Sequence, residues 1–341
     1  MEGITISPYT PADYPAFASF ARTSFHPKYI LADEAFLKWQ YTGSGVLMLA
    51  KHHNKIVGFF GYEDFLYKVY AETKTIRAVM NLFVAAEYRL AGIGPLLARS
   101  VFYTPNPIIV LSYNDAALRL YSHVRAHWRE AGDLTRFFAI LKPHPLMYKF
   151  KVPTSEPASA TKDQLIVKRI DNFSLEFDTF WRTIRSRYKV TIERSKQYLN
   201  SRFTDHPHLS YETLAVYDAQ QLAGYLVYRV EEADGFRIAR IIDFVATERT
   251  QTHLLQSFLR SAHTDGAHAA DFLFSHRQYH QSLTESGFFN VKSTDFEQFP
   301  IRFSPLSYNK FVINIAYDLD VPLQDFYLTK ADSDQDRPNP H

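Results

Sequence analysis

Apolar positions change period several times along the chain, and each change marks an element. Ile4–Ser7 alternates like a short strand. Thr10-Pro11-Ala12-Asp13 then has the form of a helix start: Thr at the N-cap, Pro in the first turn, and Asp near the positive end of the dipole. Tyr14, Phe17, Phe20 and Ala21 follow at helical spacing, and a second helix is predicted over Asp33–Gln40. Val46–Ala50 and Ile56–Tyr62 flank the polar turn His52-His53-Asn54-Lys55, a hairpin pattern. Further on the pattern predicts a strand at Thr75–Val84, a helix at Gly94–Phe102, a buried strand at Ile108–Ser112 and a helix at Asp115–Val124. A strand at Phe137–Leu141 is expected to close this half.

Pro143-His144-Pro145 breaks the pattern, and the small, polar, Pro-punctuated run from Thr154 to Thr161 marks a linker, placed at 145–162. The second half then echoes the first. Phe36–Tyr41 corresponds to Tyr198–Phe203, Ile56-Val57-Gly58-Phe59 to Leu222-Ala223-Gly224-Tyr225, Phe83-Val84-Ala85 to Phe244-Val245-Ala246, and Leu96-Leu97 to Leu254-Leu255. Common order and similar spacing point to a duplicated αβ unit, so the expected class is α/β, with a mixed sheet in each half. The expected domains are 1–144 and 163–318, with a polar tail over 319–341.

Composition narrows the chemistry. The 341 residues are 46% hydrophobic and carry a formal net charge of +2, which gives no reason to expect a nucleic-acid partner. Cysteine is absent, which excludes disulfides, thiolate metal sites and a thiol nucleophile. Any group transfer must use another nucleophile or pass directly between two bound substrates. The first residues lack a basic region followed by an apolar stretch, and no 18-residue apolar run occurs, so the cytoplasm is the expected compartment.

The most informative stretch is Asn81–Leu97. A strand runs into a turn containing Arg89, Leu90, Ala91, Gly92, Ile93 and Gly94, and a helix follows at once. Glycines let a backbone approach a phosphate closely, and the helix's first-turn N–H groups and dipole bind the anion. Arg89 can add a charge-assisted contact. The stretch resembles motif A of the GCN5-related N-acetyltransferases, whose pyrophosphate loop reads Arg/Gln-x-x-Gly-x-Gly/Ala after a strand. Asn114-Asp115-Ala116-Ala117-Leu118-Arg119-Leu120-Tyr121 resembles that family's Asn-x-x-Ala-x-x-x-Tyr.

The resemblance implies an acyl-CoA cosubstrate, acetyl-CoA in particular. Leu82, Phe83 and Val84 would offer backbone to the pantetheine arm, Arg89 to Gly94 would cradle the pyrophosphate, and Asn114 would contact the cofactor. Tyr121 would protonate the departing thiolate, a step that needs such a donor. The acceptor would be a small amine or amino sugar. As a whole the chain resembles tandem acyltransferases of the mycothiol-synthase-like and FemAB-like kinds, which implies a setting such as polysaccharide biosynthesis.

The sequence departs from the family at two points. Tyr121 leads to Ser122-His123-Val124-Arg125-Ala126-His127-Trp128 where the family has Tyr-x-x-x-Gly-Phe, and the motif A strand carries Met80 and Asn81 where many relatives have a carboxylate. Glu63, Asp64, a water-mediated base or an amine that binds already neutral remain open as the base. Two other readings stay open as well: a CoA-binding protein without catalysis, and an aminoacyl transferase of the FemAB type.

In the second half Thr247–His253 replaces the turn, is three residues shorter and has no glycine, and Leu283 stands where the tyrosine would be. One CoA per chain is therefore expected. Asp332-Ser333-Asp334-Gln335-Asp336 opens like an EF-hand but has Arg337 at the sixth position, so a solvated tail is expected there, with folding back onto the sheet as the alternative. His276 and His280 have helical metal spacing without an accompanying glutamate, and no metal is expected.

Overall fold

The computed structural model describes residues 2–25, 27–41, 43–125, 127–151, 165–303, 306–307 and 311–338. The chain divides into two compact units. Unit 1 comprises residues up to Asp133 together with Val312–Leu323 and residues from Ser333 on; unit 2 comprises Leu134–Phe311 and Gln324–Asp332. Both mix helices with a mostly antiparallel sheet, the α/β class expected.

Unit 1 opens with β1 (Ile4–Pro8) and α1 (Tyr14–Ser24). Thr10 and Asp13 start that helix, with the Thr10 N–H donating to Asp13 Oδ2 at 2.9 Å. In α2 (Glu34–Gln40) the Asp33 side chain accepts the Phe36 N–H at 2.8 Å. The expected hairpin is β2 (Gly45–His52) and β3 (Lys55–Val69). His53 and Asn54 both take positive φ, as a two-residue turn matched to strand twist requires. β4 (Glu72–Val84), α3 (Ile93–Phe102), β5 (Ile108–Leu111), α4 (Asp115–Val124) and β6 (Arg129–Asp133) follow. Apolar cores lie on the two faces of the sheet: Phe17, Leu31, Phe36 and Phe59 pack with α1 and α2, and Val79, Leu97, Val101 and Tyr121 with α3 and α4.

Unit 2 contains β7 (Thr135–Ile140), β8 (Ile166–Ile170), α5 (Leu175–Ile184), β9 (Val190–Ile192), α6 (Lys196–Leu199), β10 (Glu212–Asp218), β11 (Gln221–Ala233), β12 (Phe236–Ala246), α7 (Glu248–Thr264), β13 (Ala269–Phe274), α8 (His280–Glu285), β14 (Phe289–Asn290) and the small pair β15 (Arg302–Phe303) and β16 (Leu306–Ser307). The last strand of the chain, β17 (Asn314–Tyr317), belongs to unit 1.

Strand for strand, the two sheets follow one order: β1-β2-β3-β4-β5-β17-β6 in unit 1 and β8-β10-β11-β12-β13-β7-β14 in unit 2. In each, the fourth and fifth strands are parallel and the sixth is antiparallel to its neighbours.

This arrangement corrects the expected boundaries. The Phe137–Leu141 strand does not close the first half; β7 pairs with β13 in unit 2, and β17 fills the matching place between β5 and β6. The physical reason lies in Arg136. It is buried and donates to Asp271 of β13 at 2.7 Å, so β7 finds its counter-charge only in that sheet. In unit 1, Asp318 just beyond β17 accepts the Ile108 N–H and pairs with Arg125, both at 2.5 Å. Of the expected linker, residues 145–151 include a short helical turn at Pro145–Met147; residues 152–162 lie outside those described.

The expected polar tail is corrected too. Phe326, Tyr327, Leu328, Lys330, Ala331 and Asp332 are buried in unit 2, where Arg194 pairs with Asp332 at 2.9 Å and with Asp243 at 3.3 Å. All three charged side chains are fully buried. Removing one member of such a cluster leaves an uncompensated charge, typically costing about 3–5 kcal/mol. Arg194→Ala should therefore lower the urea-unfolding free energy by about that amount; a loss under about 1 kcal/mol would show that the two carboxylates are not held by Arg194. Among the described residues no helix is long and apolar enough to cross a membrane, and no group of three His, Cys, Asp or Glu side chains is placed to hold a metal ion.

Candidate active site

The site of interest in unit 1 lies where β4 and β5 part. Their parallel ladder pairs Arg77 with Ile108 and Ala78 with Ile109, and β4 then runs on to Val84. Just past the ladder β4 bulges. Phe59 opposes Phe83 and Gly61 opposes Met80, so Asn81 and Leu82 together face the single residue Phe60. Asn81 sits at φ +60°, a left-handed conformation that asparagine tolerates better than most residues.

Beyond the bulge, Ala85 donates its N–H to Val57 O at 2.9 Å. Antiparallel alternation therefore turns the Val84 peptide groups away from β3, and Arg89 Nε donates to the Val84 carbonyl at 3.2 Å. Leu82 packs with the α3–α4 core, and Phe83 with Phe20, Phe25 and Phe59 on the opposite face.

The turn itself is a helical coil over Ala86–Ala91, anchored by a 3.0 Å bond between the Tyr88 hydroxyl and His52 Nδ1. Gly92 takes φ +72° and is the N-cap of α3, so any side chain there is strained. Gly94 is different. Its φ is unexceptional, and a Cβ would meet only Leu120 Cδ2 at an ordinary 3.6 Å. Nothing within the protein demands glycine at 94, but a ligand approaching the helix end would. The N–H groups of Ile93 and Gly94 open the helix without intrahelical partners, and no acidic residue stands in that first turn. Arg89 and Leu90 are exposed on the turn, while Ala91, Gly92 and Gly94 are partly so.

The remaining residues expected at the site come from α4. Asn114 caps that helix, its Oδ1 accepting the Ala117 N–H at 2.8 Å, which accounts for Asn here without a ligand. Tyr121 is buried, its ring parallel to Phe60 at 5.8 Å, tilted against Phe102 at 5.2 Å and edge-on to Trp128 at 5.7 Å. Burial, and secondarily the Asp334 carboxylate, push its hydroxyl well above the usual tyrosine range. A phenol so held stays protonated at neutral pH. Of the candidate bases, Asp64 is taken by Arg77 in a two-point ion pair with both bonds at 2.8 Å, and Glu63 accepts from Ser44 at 3.0 Å.

No sequence-family profile matches the chain, and no curated protein matches it either. Solved structures do. One is a probable N-acyltransferase from Enterococcus faecalis, at TM-score 0.60 and 10% identity, with 95% of this chain and 74% of that one covered. GCN5-related N-acetyltransferases from Anabaena variabilis and Kribbella flavida each match at TM-score 0.58, with 13% and 14% identity, covering 92% of this chain and 72% and 70% of theirs. The fold is that of the GCN5-related N-acetyltransferases. In that fold's terms, the bulged β4, the Gly92–Gly94 turn and α3 of unit 1 form one continuous feature.

Unit 2 has the same strand order as unit 1, but its equivalent slot is filled by the chain itself. Residues Gln324–Asp332 run beside β12 and β13: Thr329 bridges Phe274, Ser275 donates its N–H to Leu328 O at 3.0 Å, and the Tyr327 hydroxyl bonds both the N–H and the carbonyl of Phe244. α7 begins at once after Thr247, with buried Thr250 donating to Ala223 O at 3.0 Å and Glu248 in the first turn as an anion of its own. A phosphate at this helix end would meet a like charge and no glycine. Calorimetric titration with CoA should give one site per chain; two equivalent sites would contradict this account.

Sequence reasoning missed the bulge residue Asn81 as a structural pivot and the whole of Ser333–Pro338. For the first, the signal was present: an asparagine inside an apolar strand. For the second, the alternating acids looked like a solvated tail.

Proposed function

We propose that the chain is an acyl-CoA-dependent N-acyltransferase that carries an acetyl group to a small amine or amino sugar, with the donor bound in unit 1. The observation that carries this reading is the strand–turn–helix at β4 and α3, where Gly94 has no steric reason to be glycine except the approach of a ligand. The free amides of Ile93 and Gly94, the α3 dipole and the exposed Arg89 suit a pyrophosphate. Leu82, Phe83 and Val84 would offer backbone to the pantetheine arm. The amides at the Asn81 bulge would polarise the thioester carbonyl.

In the reaction, a neutral amine attacks the thioester carbonyl. The C–N bond forms and the C–S bond breaks; the attacking nitrogen releases one proton to water, the leaving thiolate gains one from Tyr121, and water reprotonates Tyr121. Tyr121, kept protonated by burial, donates to the departing sulfur. The test is release of free CoA thiol from acetyl-CoA across a panel of amines and amino sugars. A chain without cysteine contributes no thiol background to that assay. Acceptor-dependent thiol release supports the enzyme; tight acetyl-CoA binding with no turnover across the panel would select a CoA-binding protein instead.

A further inference from the structure

The far end of the β4–β5 split in unit 1 is closed by a segment that arrives from much later in the chain. Gln335 Nε2 donates to the carbonyl of Leu111, the last residue of β5, at 3.2 Å. Two residues on, Arg337 donates to the side-chain carbonyl of Asn81 on the bulge and to Asp334 Oδ2, the latter at 3.1 Å. The Tyr29 hydroxyl bonds Arg337 as well. Asn81 turns its amide nitrogen to the Tyr41 hydroxyl at 2.9 Å. Tyr41 is buried, and its hydroxyl lies so close over β3 that a Cβ on Gly61 would meet it at 2.2 Å. The Asp334 side chain is only 8% exposed and Arg337 24%, and the Asp334 field reaches Tyr121. One stretch of chain thus holds β5 on one side and the bulge of β4 on the other.

We propose that residues 334–337 form the end wall of the acyl pocket, with Gln335 and Arg337 restricting the donor to acetyl-CoA or a similarly short acyl-CoA. This rests on the acyl-CoA reading above and adds to it the residues that limit the length of the acyl group. A thioester carbonyl held at the bulge points its acyl group at Asn81, Arg337 and Gln335. An acetyl methyl needs little room there. A longer aliphatic chain would have to displace side chains already bonded to one another, leaving an ion pair or an amide unpartnered against hydrocarbon. An apolar tunnel would reward each added methylene, whereas this wall penalises it.

Calorimetric titrations with acetyl-, butyryl- and octanoyl-CoA test the proposal on the full chain, on Arg337→Ala and on Gln335→Ala. In the native chain, butyryl-CoA, two methylenes longer, should bind at least on the order of 10- to 200-fold more weakly than acetyl-CoA, the discrimination a filled pocket imposes for one methylene, and octanoyl-CoA should give no heat. In Arg337→Ala the acetyl-to-butyryl ratio should fall to about threefold or less. Its acetyl-CoA affinity also reports whether the site is still folded. Should that affinity vanish, Gln335→Ala decides, because it removes only the two bonds of a neutral amide, to Leu111 O and Asp334 Oδ1, and should also lower the ratio. Octanoyl-CoA binding to the native chain within about threefold of acetyl-CoA, or an unchanged ratio in both variants, would overturn the wall. A native chain that binds no acyl-CoA at all would instead remove the proposed function, and the inference with it.

Discussion

Gly94→Glu should abolish acetyl-CoA binding while leaving circular dichroism and the unfolding midpoint close to native. The position is suited to such a test because it separates folding from ligand. A Cβ there meets only Leu120 Cδ2 at 3.6 Å, and the backbone is not left-handed. Glutamate is a good helix former and is favoured by the dipole in a first turn, so the fold has no reason to resist it. The ligand does. The carboxylate would stand where the proposed pyrophosphate lies, and like charges brought together in a binding site cost several kcal/mol, roughly 100-fold or more in affinity. Gly92→Glu is the poorer experiment, since at φ +72° any side chain strains the turn and a loss of binding could be a loss of structure. Acetyl-CoA affinity unchanged in a folded Gly94→Glu protein would refute the placement of the pyrophosphate.

The second large effect is expected at Tyr121. Tyr121→Phe removes one hydroxyl from a ring that packs against Phe60, Phe102 and Trp128, so the core keeps its shape. With an identified acceptor, kcat should drop on the order of 100- to 10,000-fold, the range for losing a positioned proton donor. Acetyl-CoA affinity should change little. A drop in kcat of less than about threefold would mean that Tyr121 contributes only packing.

Much of unit 1 was legible in the sequence because short-range rules decide it. Thr10 and Asp13 announce a helix, His53-Asn54 a tight hairpin, and Arg89 to Gly94 a turn into a helix, each within a few residues. What failed was long-range. The strand Thr135–Ile140 is apolar enough for either sheet, and alternation says nothing about which edge it joins. The deciding group, Arg136, has its partner Asp271 far along the chain. The same holds for Asp332 and Arg337. Read locally they belong to a polar stretch; in the fold they meet Arg194 and Asn81. Counter-charges distant in sequence are what turn an apparent tail into interior. The bulge was partly visible, since Asn81 interrupts an apolar strand. Its function as a hinge between Tyr41 and Arg337 was not, because neither partner is near it in sequence.

The placement of β17 between β5 and β6 has a consequence for how the protein is made. When residue 133 leaves the ribosome, every other strand that unit 1 itself contributes to its sheet has been synthesised, but the strand that joins β5 to β6 has not. At a translation rate of about 5–20 residues per second, the wait until Tyr317 emerges is roughly 9 to 37 seconds. Through that interval β5, whose four residues are all buried in the finished protein, presents an unpaired edge. Unit 2 receives its own sixth strand, β7, before the rest of its sheet is made. Its sheet can therefore close first, and the sheet begun first is closed last, while Gln324–Asp332, which unit 2 also takes in, are made later still. The nascent chain is then most exposed to mispairing while unit 2 is being synthesised, and cutting the gene between the two units would leave the first product without the strand that seals its sheet.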